Sequence, residues 1–142
     1  MRSLDAAAVR DLLPHAPPFL FVDTVSELIP GERVTAAWAV PEQAFWTDAH
    51  FPGQPVLPGV LLAEALAQAA ALVYLSQDDA EGLPVLVGAD GLRFRAAVAP
   101  GDALTLRATT THTRRLWRFD VVALRGETVV ADGTLIASLA RT

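Results

Sequence analysis

The sequence predicts an α+β domain in which an antiparallel β-sheet wraps around one long central α-helix, and three observations carry that expectation. After Gly59, the chain to about Ser76 is rich in Ala and Leu and holds no Pro or Gly, the composition of a helix. Only Glu64 and Gln68 interrupt the apolar run before Ser76, which marks a buried helix rather than a surface one. Downstream of it, apolar and polar residues alternate with period two, so the strands are segregated from the single long helix.

At the N-terminus, Ser3 is a candidate cap for a short helix over Leu4 to Leu13, with Asp5 in its first turn and Pro14 ending it. Pro17-Pro18 opens the β-forming run FLFVDTVSELI. Pro30-Gly31 reads as a turn, Gly supplying the positive φ at its third position. Val34, Ala36, Trp38 and Val40 then alternate with Arg33, Thr35, Ala37 and Ala39, as expected of a half-buried strand paired antiparallel with the one before. PEQAFWTDA places Phe45 and Trp46 just ahead of His50.

Pro52, Pro55 and Pro58 follow at every third residue, with Gly53 and Gly59 between and after them. Each proline fixes its own φ near about −65° and drives the preceding residue out of the α region, so this stretch is a stiff extended loop. The helix it feeds would be about 27 Å long at ~1.5 Å per residue. Beyond the polar loop QDDAEG, the run LPVLVGADGLRFRAAV is a long strand whose alternation is disturbed at Gly88 and Gly91, the signature of a bulge. Pro100-Gly101-Asp102 turns the chain. Leu104, Leu106 and Ala108 share a face of the next strand, and Trp117, Phe119, Val121 and Ala123 a face of the one after. Arg125-Gly126-Glu127 turns it again, and Val129, Ala131, Leu135, Ala137 and Leu139 line the last inward face.

With 142 residues the chain is expected to form one domain, 1–142, large enough to bury roughly two-thirds of its unfolded surface without staples. Cysteine is absent, which removes disulfides, thiolate metal sites and a Cys nucleophile and fits a reducing, cytoplasmic setting. The most apolar window contains Glu64, so no membrane span is expected, and the charge mixture of MRSLDAAAVRDLL is unlike a signal peptide. A net charge of −5 argues against a general nucleic-acid binder. All 11 basic residues are arginine, several of them crowded between Arg93 and Arg118.

Of three histidines, His112 reads as a strand-end residue and His15 as an imidazole near the last carbonyls of the first helix. His50 is different, because the prolines that follow immobilise its backbone and an ordinary imidazole pKa of about 6.5 suits a general base. Glu64 admits two readings. An arginine or a backbone N–H from the sheet satisfies it, or it lines a pocket where burial raises its pKa for proton transfer. Gly59 opens the helix, so its N–H lacks an intrahelical acceptor and could stabilise an oxygen gaining charge. No HxxxH or HExxH spacing, phosphate loop or GxSxG elbow occurs, so no metal or cofactor is expected.

His50-Phe51-Pro52-Gly53, Pro55 through Leu61, and Glu64-Ala65-Leu66-Ala67-Gln68 together resemble the signature of the short 3-hydroxyacyl-[acyl-carrier-protein] dehydratases, hotdog-fold enzymes of bacterial fatty-acid synthesis. Leu13-Pro14-His15, Pro18-Phe19-Leu20 and Val22-Asp23 resemble the family's opening. Arg93-Phe94-Arg95, Val98 and Pro100-Gly101-Asp102 resemble its late-strand motif. The resemblance implies a hotdog fold, His50 as the base that takes the C2 proton, and Glu64 as the acid that protonates the departing 3-hydroxyl, directly or through a water. It implies Gly59 N–H as the clamp on the thioester carbonyl, with Phe51, Trp46 and Gln68 beside the substrate. It also implies a homodimer whose two sites each take His50 and Glu64 from opposite subunits, with a trimer of dimers as the larger assembly.

Glu rather than Asp at position 64 resembles the branch that dehydrates without isomerising. Ala16, Thr24 and Ala49 depart from the family pattern, and they leave open chain length and a polyketide-like or aryl-polyene product. The implied partner is an acyl carrier protein, typically acidic, for which Arg93, Arg95, Arg114, Arg115 and Arg118 are docking candidates. A hotdog thioesterase and a non-catalytic acyl-binding domain are the alternative readings.

Overall fold

The computed structural model describes residues 1–140. In chain order it contains β1 (Arg2–Leu4), α1 (Ala6–Leu12), β2 (Thr24–Ile29), β3 (Arg33–Ala39), α2 (Gly59–Leu75), β4 (Leu83–Phe94), β5 (Ala103–Thr113), β6 (Leu116–Arg125) and β7 (Thr128–Ala140). The strands form one antiparallel seven-stranded sheet in the order β1-β2-β3-β5-β6-β7-β4. It wraps around α2, the hotdog arrangement expected. Buried positions occur on every side of α2, from Leu61 and Leu62 through Leu66 and Ala69 to Leu72 and Val73, so the all-round apolar composition matches its surroundings.

Three local expectations are corrected. Ser3 does not cap the first helix, since it lies in β1, a strand too short to leave a pattern in the sequence. Asp5 is the cap instead, its carboxylate accepting the N–H of Ala8 at 2.9 Å. The run FLFVDTVSELI becomes strand only at Thr24. Its first residues are drawn elsewhere, because Phe21 N–H donates to Gln68 Oε1 at 2.8 Å and Phe19 C=O accepts from Gln68 Nε2 at 3.1 Å. In β7 the inward residue is Val130 rather than Val129, because the pairing slips between Ala123↔Ala131 and Leu124↔Val129 and turns two successive residues, Val130 and Ala131, into the core.

The two ends of the sheet differ. β1 is a three-residue edge, a short one of the kind that discourages further pairing. β4 is a twelve-residue edge with register shifts around Gly88 and between Asp90 and Arg93, as its glycines suggested, and it exposes Val85, Leu86, Val87 and Phe94. Among the described residues no helix is long and apolar enough to cross a membrane.

Candidate active site

The proline loop holds His50 from several directions. Its N–H donates to Trp46 C=O at 2.9 Å, and its own C=O accepts from Val56 N–H at 2.7 Å. Val56 C=O in turn lies 2.7 Å from His50 Nδ1. A carbonyl only accepts, so Nδ1 carries the proton and a neutral His50 presents a bare Nε2, the form a general base requires. Phe51 stacks on the imidazole with ring centroids 4.1 Å apart, which fixes the ring plane. Leu57 N–H donates to Val98 C=O at 2.8 Å and ties the loop to the segment after β4.

His50 lines an opening of about 410 Å³ with Val56, Leu57, Gly59, Leu62 and the segment Phe94 to Val98. Gly59 is the first residue of α2, and among the described residues its N–H has no acceptor. A Cβ there would sit 3.3 Å from the Phe94 ring, so the missing side chain keeps the amide approachable. A base and an unused amide donor therefore face one cleft.

Glu64 lines a different opening of about 350 Å³, with Pro14, His15, Ala67, Ala71 and Leu83 to Leu86. At about 100° per residue, Glu64 lies about 140° around α2 from Gly59, which explains why the two openings fall on opposite sides of the helix. Gln68, one turn on, donates through Nε2 to Glu64 Oε2 at 2.9 Å while its other bonds hold Phe19 and Phe21. It is 1% exposed, so it is a fixed strut and not a mobile contact.

His15 Nε2 also approaches Glu64 Oε2, at 3.4 Å. This neighbour was not anticipated, since His15 was expected against helix-end carbonyls. The available signal was its place in Leu13-Pro14-His15, part of the family-like opening. Among the described residues neither an arginine nor a sheet N–H satisfies Glu64; His15 and Gln68 do. The raised pKa expected for a pocket carboxyl is corrected as well. Burial pushes it up, but hydrogen bonds to His15 and Gln68 and the charge of His15 together outweigh that, holding it below its ordinary value of 4.5.

Trp46 does not join the His50 opening. Its side chain is buried and faces a separate apolar recess with Phe21, Trp38 and Pro41, and it reaches His50 only through its carbonyl. The five arginines do not form one patch within the chain. Arg95 lines the His50 opening, paired with Asp132 through two bonds of 3.0 Å, and Arg93 lies two residues before it in β4. Arg118 pairs with Asp90 at 3.2 Å. Arg114 and Arg115 form the β5–β6 hairpin tip at the opposite end of the sheet, about 26 Å away along β7 from Val130 to Ser138 at ~3.3 Å per residue. No group of three or more His, Cys, Asp or Glu that could hold a metal ion occurs among the described residues.

A family model described as FabA-like domain matches residues 13–139. The chain belongs to that family. Among curated relatives, a 3-hydroxyacyl-[acyl-carrier-protein] dehydratase FabZ of Myxococcus xanthus (strain DK1622) is 43% identical over 140 residues, covering 96% of this chain and 92% of that protein. A protein of the same name from Anaeromyxobacter sp. (strain K) is 44% identical over 142 residues, covering 96% and 91%. Among solved structures, the dehydratase heterocomplex ApeI:P from Xenorhabdus doucetiae superposes with a TM-score of 0.80 at 19% identity, over 94% of this chain and 91% of that one. A hypothetical thioesterase with coenzyme A from Streptococcus pneumoniae TIGR4 gives 0.62 at 17% identity, over 83% and 90%. At such identities the structural likeness shows the fold alone. The FabA-like assignment agrees with the resemblance read from the loop and helix motifs.

Proposed function

We propose that this FabA-like protein is a hydro-lyase that converts (3R)-3-hydroxyacyl-[acyl-carrier-protein] to the trans-2-enoyl thioester, in fatty-acid synthesis or a related aryl-polyene or polyketide route, operating in the cytoplasm. The observation that carries this reading is the His50 cleft, where a correctly tautomerised imidazole and the unused Gly59 amide face the same space. The thioester carbonyl sits on Gly59 N–H, and His50 Nε2 takes the C2 proton while the developing enolate oxygen is held by that amide. The C3–O bond breaks, and Glu64 serves the departing hydroxyl, which leaves as water. Phe51 and Gln68 keep the two groups in place, and Trp46 contributes by anchoring the His50 backbone.

Glu64 reaches this cleft from a second copy of the chain. Antiparallel pairing of two β4 edges about their midpoint, near Gly88 and Ala89, sets the Phe94 end of one strand against the Leu83 end of the other. Phe94 borders the His50 opening, and Leu83 to Leu86 border the Glu64 opening. The pairing covers the exposed apolar edge and joins the two half-sites. It also carries the Arg114–Arg115 hairpin of one copy toward the Arg93–Arg95 end of the other. An acidic carrier protein docks on that combined basic surface, and Arg118 lies along the same strand as the hairpin.

The test is a dehydratase assay on carrier-bound 3-hydroxyacyl chains of increasing length, reading enoyl product against free thiol. His50→Ala and Glu64→Gln each abolish most turnover. When equal amounts of the two variants exchange subunits, half the dimers are mixed and each regains one complete site, so activity returns to about a quarter of native. Release of free thiol without enoyl product would overturn the dehydratase reading. No rescue after verified exchange would overturn the shared site.

A further inference from the structure

The contact between His15 and Glu64 lies outside the roles assigned so far, and its geometry is specific. Nε2 of His15 and Nε2 of Gln68 converge on the same carboxylate oxygen, Oε2, at 3.4 and 2.9 Å, leaving Oε1 without a partner among the described residues. His15 and Glu64 are partly exposed in one opening, with side chains 27% and 24% accessible. The other His15 nitrogen, Nδ1, is buried without a hydrogen-bond partner among the described residues. Among the described residues no other titratable group lines this opening. From the α1 side come Pro14 and His15, from α2 Glu64 with Ala67 and Ala71, and from β4 Leu83 to Leu86.

We propose that His15 is a positioning residue that orients the Glu64 carboxylate and holds, jointly with it, the proton delivered to the leaving hydroxyl. The inference rests on the dehydratase reading above. A carboxylate flanked by two N–H donors is a poor place to store a proton alone at neutral pH, and Glu64 is accordingly held low. An adjacent imidazole supplies the missing store, because imidazoles ordinarily titrate near neutrality. Two effects oppose each other on the ring. The carboxylate favours an extra proton at Nε2, whereas the unpartnered Nδ1 makes a doubly protonated ring costly. The proton is therefore shared across the His15 Nε2–Glu64 Oε2 contact.

The step balances. His50 gains the C2 proton and the C2–H electron pair becomes the new C=C bond as C3–O breaks. The proton of the pair passes from His15 Nε2 through Glu64 to the hydroxyl oxygen, and water leaves. The site is then left with a protonated His50, a neutral His15 and a Glu64 carboxylate. Exchange with solvent removes one proton from His50 and returns one to the pair. In the proposed shared site the second copy's opening brings His50 and Arg95, the latter paired with Asp132, toward Glu64.

His15→Gln tests this, because it keeps an N–H donor for Oε2 but cannot hold the proton, and His15→Asn is run beside it as a second, smaller replacement. The expected result is a kcat profile whose alkaline limb moves about one pH unit or more toward acid, so that kcat falls about tenfold at pH 8 but little at pH 5.5, with KM unchanged. A uniform loss at every pH with the limb in place means a merely structural role and overturns the proposal, as does an unchanged profile. A ¹³C titration of the Glu64 carboxyl needs no turnover. Its midpoint rises in His15→Phe, and an unmoved midpoint also overturns the proposal. If native protein forms no enoyl product while the carboxyl midpoint still moves, the dehydratase reading fails and the proton-delivery role fails with it, leaving only the contact.

Discussion

Gln68→Glu isolates what the strut on α2 contributes, because the two side chains have the same shape and no cavity is opened. The change preserves the acceptor for Phe21 N–H and removes both bonds made by Nε2, to Phe19 C=O and to Glu64 Oε2. The first is a neutral bond worth about 0.5–1.5 kcal/mol and the second a charge-assisted one worth about 1.5–3 kcal/mol. A second carboxylate one turn from Glu64 adds like-charge repulsion, so the variant is expected to lose about 2–4 kcal/mol at pH 7. The loss depends on pH in a defined direction. Burial already pushes Glu64 up, and without the Gln68 donor that push is less opposed, so the carboxyl pair in the folded state binds a proton at higher pH than in the unfolded chain. Protonation then removes the repulsion, and the deficit relative to native shrinks as pH falls from 7 toward 5. Urea unfolding at one protein concentration, fitted for both proteins at each pH, reads this directly. A deficit below about 1 kcal/mol at pH 7, or one that grows on acidification, would refute the strut argument.

Three further outcomes follow from the same geometry. Gly59→Ala places a methyl group 3.3 Å from the Phe94 ring while favouring the helix by propensity, so kcat/KM falls with little change in Tm; a proportional loss of both would contradict the clamp role. Val87→Lys puts a charge on the exposed β4 edge; if the proposed β4-edge dimer forms, sedimentation shows the variant dissociating toward monomer at concentrations where the native chain is paired, and an unchanged sedimentation profile would contradict that pairing. Glu64→Gln flattens the acid limb of the stability curve. The native carboxyl is held below 4.5, so its contribution is present above that value and lost as pH falls through the folded midpoint, and a variant with an unchanged limb would show that Glu64 is not held low.

What the sequence disclosed was what short-range physics decides. The prolines at 52, 55 and 58 stiffen the chain wherever they are placed, and an Ala- and Leu-rich run ended by a polar loop is a helix in any surroundings. The half-buried strands from Ala103 onward, and the bulge at Gly88 and Gly91, were legible for the same reason. What was missed depended on partners far away in sequence. Phe19 to Asp23 has strand-like composition, yet Gln68, 47 residues beyond Phe21, takes the Phe21 N–H and the Phe19 C=O. Val130 turns inward because of a slip against β6, which no pattern within β7 records. Ser3 and Asp5 are both competent caps, and only the pairing of β1 with β2 decides between them.

The site divides along the same line. His50 and its loop were readable as a rigid base, and the observed Nδ1 bond to Val56 refines that to a tautomer. Glu64 was readable as an anomaly, but the sign of its shift was not, because burial alone argues upward and the decisive donors are one helical turn and 49 residues away. The fourteen residues between His50 and Glu64 invite the assumption of a single in-chain pair. Helix geometry works against it, since a residue that borders the Gly59 side of α2 cannot also border the Glu64 side. In the proposed shared site, a helix that offers a clamp on one face and a carboxylate on the other meets its complement from a second copy. On that argument the exposed β4 edge is as much a part of the chemistry as His50, because its strand direction determines which two half-sites meet.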